Sequence, residues 1–110
     1  MLEVGTLYNC KYYLMLYPEL ESARLAQTLE KHGHACAAHM YPAASTAWAT
    51  YWTNELGKPV GCVVGRTPIL ALRIEENFHQ VLTGDRIGWI IYHDWLNFEE
   101  IQKCKLENFT

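Results

Sequence analysis

The sequence predicts one domain of the α+β class, and three observations predict it. At 110 residues, half of them apolar and only 19% charged, the chain has the length and composition of a single globular core. The run KYYLMLYP, residues 11–18, is apolar on both of the faces a strand would present. Two segments of helical periodicity follow it, the first opening at Pro18 and the second closing at Gly57.

In KYYLMLYP, Tyr12, Leu14 and Leu16 alternate with Tyr13, Met15 and Tyr17, the pattern of a strand buried on both sides. PELESARLAQTLEKHG reads as the first helix. Pro18 sits in its first turn beside Glu19 and Glu21, where the helix dipole favours acids. Leu25 and Leu29 share a face, and Gly33 is the expected stop. AASTAWATYWTNELG reads as the second helix, with Ala44, Trp48, Trp52 and Leu56 at four-residue spacing and Tyr51 beside them. Its other face, Thr46, Thr50, Thr53 and Asn54, is small and polar. Gly57 followed by Pro59 ends it.

From PVGCVVG onward the pattern divides. TPILALRIEENFHQVLTG fits a helix capped by Thr67, with Pro68 first and Gly84 last; Leu70, Ile74, Phe78 and Val81 then share a face. It fits equally a hairpin in which PILALRI and FHQVL flank Glu75-Glu76-Asn77, and Thr83-Gly84-Asp85 turns the chain into RIGWIIY. The helical reading leads to an α/β arrangement or a ferredoxin-like α+β sandwich.

Phe78-His79-Gln80-Val81, Gly84-Asp85, Gly88-Trp89-Ile90 and Trp95-Leu96 together resemble the second half of a bacterial Src-homology-3-like domain. Gly5-Thr6-Leu7-Tyr8 is similar to the Leu-Tyr opening of the eukaryotic version. The resemblance implies a small antiparallel β-barrel, with residues 18–58 as a two-helix insertion in a single domain spanning 1–110. It also implies a peptide- or protein-binding role. The chain departs from the proline-peptide binders of that family. Ile91 stands where they carry proline after the Gly-aromatic-Ile triplet, and Asn77-Phe78 where they carry a tryptophan pair. Docking on a polyproline helix needs those aromatic ridges.

The stretch KHGHACAAHM, 31–40, holds His32, His34, Cys36 and His39. On a helix, His32, Cys36 and His39 share a face; on a strand, His32, His34 and Cys36 do. Neither gathers all four, so no metal is expected. His32, Cys36 and His39 are the set for an alternative reading as a metal- or small-ligand-binding protein. Cys10, Cys36, Cys62 and Cys104 form no C-x-x-C pair and read as reduced thiols. Ser22 and Ser45 lie in no nucleophile elbow, GKPVGCVVGR lacks the ending of a phosphate loop, and His93-Asp94 is read as a solvated turn. No catalytic constellation emerges, so neither an enzyme nor a cofactor is expected.

A net charge of −3 with scattered cations gives no electrostatic footprint for nucleic acid. No apolar run reaches the roughly 18 residues of a membrane span, and MLEVGTLYNC is no signal peptide. A cytoplasmic binding module is the resulting expectation. Its surface is expected to be aromatic, built from Tyr8, Phe78, Trp89, Tyr92 and Trp95, and to take a protein or peptide partner or a second copy of the chain.

Overall fold

The computed structural model describes residues 1–30 and 45–103. Strands β1 (Thr6–Asn9) and β2 (Leu14–Leu16) lead into helix α1 (Leu20–Leu29). Helix α2 (Ser45–Leu56) is followed by β3 (Gly61–Val63), β4 (Pro68–Glu75), β5 (Phe78–Thr83) and β6 (Arg86–Ile91). A 3-10 turn at Asp94–Leu96 then precedes β7 (Glu99–Lys103). The fold is mixed α+β, with antiparallel strands and two helices.

The divided segment, 67–83, resolves as strands. Glu76 takes φ 56° and Gly84 takes φ 60°. These left-handed residues end β4 and β5, where a helix would need right-handed backbone. The main sheet runs β6-β5-β4-β1-β7, and β2 pairs with β3 separately. The turn at Thr83-Gly84-Asp85 sets the β5–β6 register, with Gln80 opposite Trp89 and Val81 opposite Gly88.

The sheet is not closed into the small barrel that the sequence resemblance implies. Among the described residues no ladder joins β6 to β7. Instead the outer edge of β6 is met by the end of β2. The Tyr17 N–H donates to the Trp89 carbonyl at 2.8 Å, and the Trp89 N–H to the Tyr17 carbonyl at 2.7 Å. Gly88 makes this crossing feasible. A Cβ there would lie 2.6 Å from Leu16 Cγ and 2.8 Å from the Tyr17 carbonyl oxygen.

Strand alternation divides the interior in two. Ile90, Val81, Ile69, Leu14, Leu16 and Leu96 pack on one side of the sheet. Trp89, Ile91, Phe78, Met15 and Tyr17 pack on the other, under Ala23 and Ala26 of α1 and Trp52 of α2. β6 from Gly88 to Ile91 is therefore buried on both faces, which is why GWII is apolar at consecutive positions.

The helices correct two sequence expectations. α1 turns Ser22, Ala23 and Ala26 inward, while Leu25 is 47% exposed. Ala23 and Ala26 are fully buried, and Leu29, on the face of Ser22 and Ala26, packs half-buried beside them. In α2, Trp52 is fully buried, whereas Trp48 and Leu56 are half-buried. Thr53, expected on the wet face, is half-buried and ties the helix to the following chain. Its hydroxyl donates to the Ala49 carbonyl at 2.8 Å and accepts from the Val60 N–H at 2.9 Å. Gly57, at φ 69°, ends α2 as expected, its N–H bonded to the Thr53 carbonyl at 3.0 Å.

Candidate functional site

Four of the five aromatic residues expected to form one surface are divided between the two cores. Phe78 and Trp89 are buried in the core beneath the helices. Tyr8 is buried in the core on the opposite side, and half-buried Tyr92 packs against that same core. α1 lies over β5 and β6, and α2 packs on α1 and β3, so Phe78 and Trp89 are enclosed. Trp95 lies in the 3-10 turn, and its side chain is outside the described residues. His32, Cys36 and His39 are outside them as well. Among the described residues no group of three or more His, Cys, Asp or Glu is placed to hold a metal ion.

The structure joins Tyr8 and Tyr92, both in the expected set, through Phe98 and His79, which sequence reading missed, in a row of rings leading to a polar cleft. His79 stacks on Tyr92 with centroids 4.9 Å apart, and Tyr92 stacks on Phe98 at 5.9 Å. Phe98 meets Tyr8 edge-on at 6.2 Å. The Tyr8 hydroxyl accepts the Glu3 N–H at 2.8 Å, fixing that end of the row.

Phe98 is also a wall of the cleft, whose volume is about 610 Å³. Three chain segments converge on it: residues 9–11 at the end of β1, Arg66 before β4, and residues 97–99 leading into β7. Asn9 is held in register with Pro68 on one side and Glu99 on the other. The Arg66 N–H donates to the Cys10 carbonyl at 2.7 Å, bringing the second segment against the first. At Gly65 a Cβ would lie 2.9 Å from the Lys11 carbonyl oxygen, so the approach requires glycine. Arg66 and Asn97 take φ 69° and 55°. That left-handed backbone strains any residue but glycine, Asn tolerating it best. The Cys10 thiol lies 3.7 Å from the Leu96 carbonyl, linking the first segment to the third. Burial pushes this thiol up, against a lowering hydrogen bond with the backbone of Tyr12. Cys10 is thus a packed, protonated side chain and no nucleophile.

The cleft is lined mainly by polar residues. Lys11, Arg66, Asn97 and Glu99 are exposed. Among the described residues, neither Lys11 nor Arg66 has a carboxylate partner. The Asn9 Oδ1 is closed to solvent and accepts no hydrogen bond among the described residues. A buried acceptor without a donor costs roughly 1–3 kcal/mol.

A second recess, of about 30 Å³, is lined by Glu30, His93, Tyr17, Ile90 and Leu96. Burial pushes the Glu30 carboxyl up to about 7. It lowers His93, against the opposing charge of Asp94. The recess has room for about one water molecule and no substrate. It is a site of titration in the fold, not of chemistry on a ligand.

The chain matches no family model, no curated protein and no solved structure. No described helix is long and apolar enough to cross a membrane.

Proposed function

We propose that this domain is a binding module on an opened Src-homology-3-like scaffold, and that a peptide segment of a partner protein occupies the cleft between Asn9, Lys11, Arg66, Asn97 and Glu99. The scaffold reading is supported by five antiparallel strands in the order β7-β1-β4-β5-β6, a 3-10 turn at Asp94–Leu96 before β7, and helices confined to the connection between β1 and β4. β2 and β3 then form the two arms of a long connection between β1 and β4, and the helices lie at its tip.

One observation carries the binding reading: polar groups from three separate segments converge on one cleft, where among the described residues neither Lys11 nor Arg66 has a carboxylate partner. The large aromatic side chains, in contrast, are mostly committed to the two cores. A strained residue at the mouth, Arg66, is of the kind that clusters at ligand sites. An enzymatic reading has no comparable support, because the cleft brings together no nucleophile and base.

Selection from a random peptide library against the folded protein tests the proposal. Selected peptides are then mapped by amide chemical-shift changes. Saturable changes are expected at residues 9–11, 65–66 and 97–99. Failure to enrich any peptide, or shifts confined to α1 and α2, would overturn the assignment of the cleft.

A further inference from the structure

We infer that the outer edge of β6 at Ile87 takes an extended segment of a partner protein, added antiparallel to the sheet, with one apolar side chain seated in the groove between Pro18 and Pro59. This surface is separate from the polar cleft and stands or falls independently of what the cleft binds.

Ladder phase fixes where the backbone of Ile87 points. The N–H and carbonyl of Trp89 both face β2, where they bond to Tyr17 at 2.7 and 2.8 Å. Backbone groups alternate in direction along a strand, and β5 and β6 pair without a register shift. Ile87, two residues back, therefore directs its N–H and carbonyl off the same edge. Neither has a partner among the described residues. Continued in register, the chain after Tyr17 would place Glu19 opposite Ile87. Glu19 instead caps α1, its carbonyl accepting the Ala23 N–H at 3.2 Å. The chain thus leaves the lane beside Ile87. A donor and an acceptor on one residue, facing one way, are matched by one residue of an antiparallel strand.

The groove beside that lane selects the side chain. Its volume is about 350 Å³, and Pro18, Pro59, Val60 and Ile87 line it. Arg86 is its one charged lining residue among those described, and the guanidinium is turned to the Cys62 carbonyl at 3.4 Å. Ile87 is 58% exposed. A residue opposite it in an antiparallel pair carries its side chain on the same face. An apolar residue there covers Ile87 and fills the groove, while its neighbours alternate to the face of Arg86 and are polar. The opposite edge of the sheet is guarded. β7 departs from regular pairing with β1 between Glu100 and Gln102, and Glu99 and Glu100 are exposed. Irregular pairing and edge charge of that kind block an added strand. A second copy of this chain does not fit the lane at β6. Pairing Ile87 with its own counterpart would set Asp85 opposite Trp89, in the position Tyr17 holds.

The test uses the isotopically labelled full chain and two uncharged probes: N-acetyl-Ser-Thr-Val-Thr-Ser-amide, and the same peptide methylated on the valine nitrogen. The first is expected to shift the amides of Ile87, Val60 and Gly61 saturably. The methylated peptide cannot donate from valine and should bind at least about fivefold more weakly, the scale of one lost hydrogen bond. Ile87→Pro should weaken the first peptide by a similar factor. Its missing N–H faces off the edge and takes no bond from the β5 ladder, so the fold tolerates it, and an otherwise unchanged spectrum proves that. Equal binding of the two peptides to the natural chain, a readout that needs no variant, would overturn backbone pairing at Ile87. Shifts confined to residues 9–11 and 97–99 would overturn this surface and support the cleft alone. Shifts at Ile87 on concentrating the protein by itself, with a doubled native mass, would overturn the partner in favour of a second copy. No saturable shift from the first peptide would overturn the inference.

Discussion

Replacing His79 with Phe should make the protein less sensitive to acid, whatever it does to stability at neutral pH. His79 lies in β5 between Ile74 of β4 and Ile90 of β6. It is fully buried, and neither ring nitrogen has a partner among the described residues. Burial pushes it down to about 4, with the positive Met1 N-terminus adding to the effect. The unfolded chain binds a proton near pH 6.5 that the folded chain refuses until about pH 4. Stability is therefore complete above about pH 6.5 and is lost as pH falls toward 4. At about 1.36 kcal/mol per pH unit the loss approaches 3 kcal/mol, of which roughly 2.5 falls between pH 7.5 and 4.5. His79→Phe removes this dependence and keeps a ring against Tyr92. It deletes two unpaired buried nitrogens and adds some volume. Those effects are opposite in sign, on the order of 1–3 kcal/mol each, and nearly independent of pH.

The observable is the slope with pH, not the midpoint at one pH. Urea unfolding followed by tryptophan fluorescence, at several pH values between about 4.5 and 7.5, gives it. The stability difference, variant minus wild type, should move in the variant's favour by roughly 2.5 kcal/mol on going to the acid end. Parallel pH profiles for the two proteins would refute the argument and mean that His79 is hydrated or bonded in solution. The wild-type profile alone cannot serve, because Glu30 opposes His79. Its carboxyl, raised to about 7, binds a proton in the folded state that the unfolded state releases from about pH 4.5 upward. Stability from Glu30 is present in acid and lost as pH rises through 7. Over the shared window the two slopes cancel in part.

Glu30→Gln is accordingly expected to stabilise the protein above pH 7, by on the order of 1–2 kcal/mol after allowing for partial solvent access. Unchanged stability at pH 8 would show that the carboxylate is hydrated. Gly88→Ala should cost about 1–3 kcal/mol, because its Cβ would meet Leu16 and the Tyr17 carbonyl. Faster amide exchange at Tyr17 and Trp89 would show the crossing loosened, and protection at the wild-type level would count against it. Trp52→Ala should cost roughly 3–5 kcal/mol, whereas Leu25→Ala should stay within about 0.5 kcal/mol. Comparable urea midpoints for those two variants would contradict the seating of both helices.

The elements of the fold were legible where a local rule decides them. Pro18 and Gly57 bound the helical segments because proline fixes φ and glycine accepts a left-handed cap. The turn after Thr83 needs a residue free to take positive φ, and Gly84 is that residue. The choice between helix and hairpin at 67–83 was not local. Glu76 adopts the left-handed region without being glycine, so the turn before β5 carries no sequence mark strong enough to exclude a helix. Tertiary pairing with β1 and β6 decides it.

Burial of the aromatic residues was illegible for a related reason. Alternation in RIGWIIY shows that both faces are apolar, and it does not say what covers the second face. Helix α1 supplies that cover, with α2 packed on it, and turns Ser22, Ala23 and Ala26 inward. With Phe78 and Trp89 enclosed, the proposed cleft is lined mainly by polar residues. The residues that shape it, Asn9, Lys11, Arg66 and Asn97, form no motif, being brought together only by the return of the chain from β3 to β4 and from the 3-10 turn to β7. Gly65 is the one sequence mark of that meeting, and its meaning depends on a carbonyl 54 positions earlier in the chain, that of Lys11. Aromatic content therefore measures how much core this domain needs to seat its helices, while the proposed binding cleft draws on charged and amide groups that only the fold brings together.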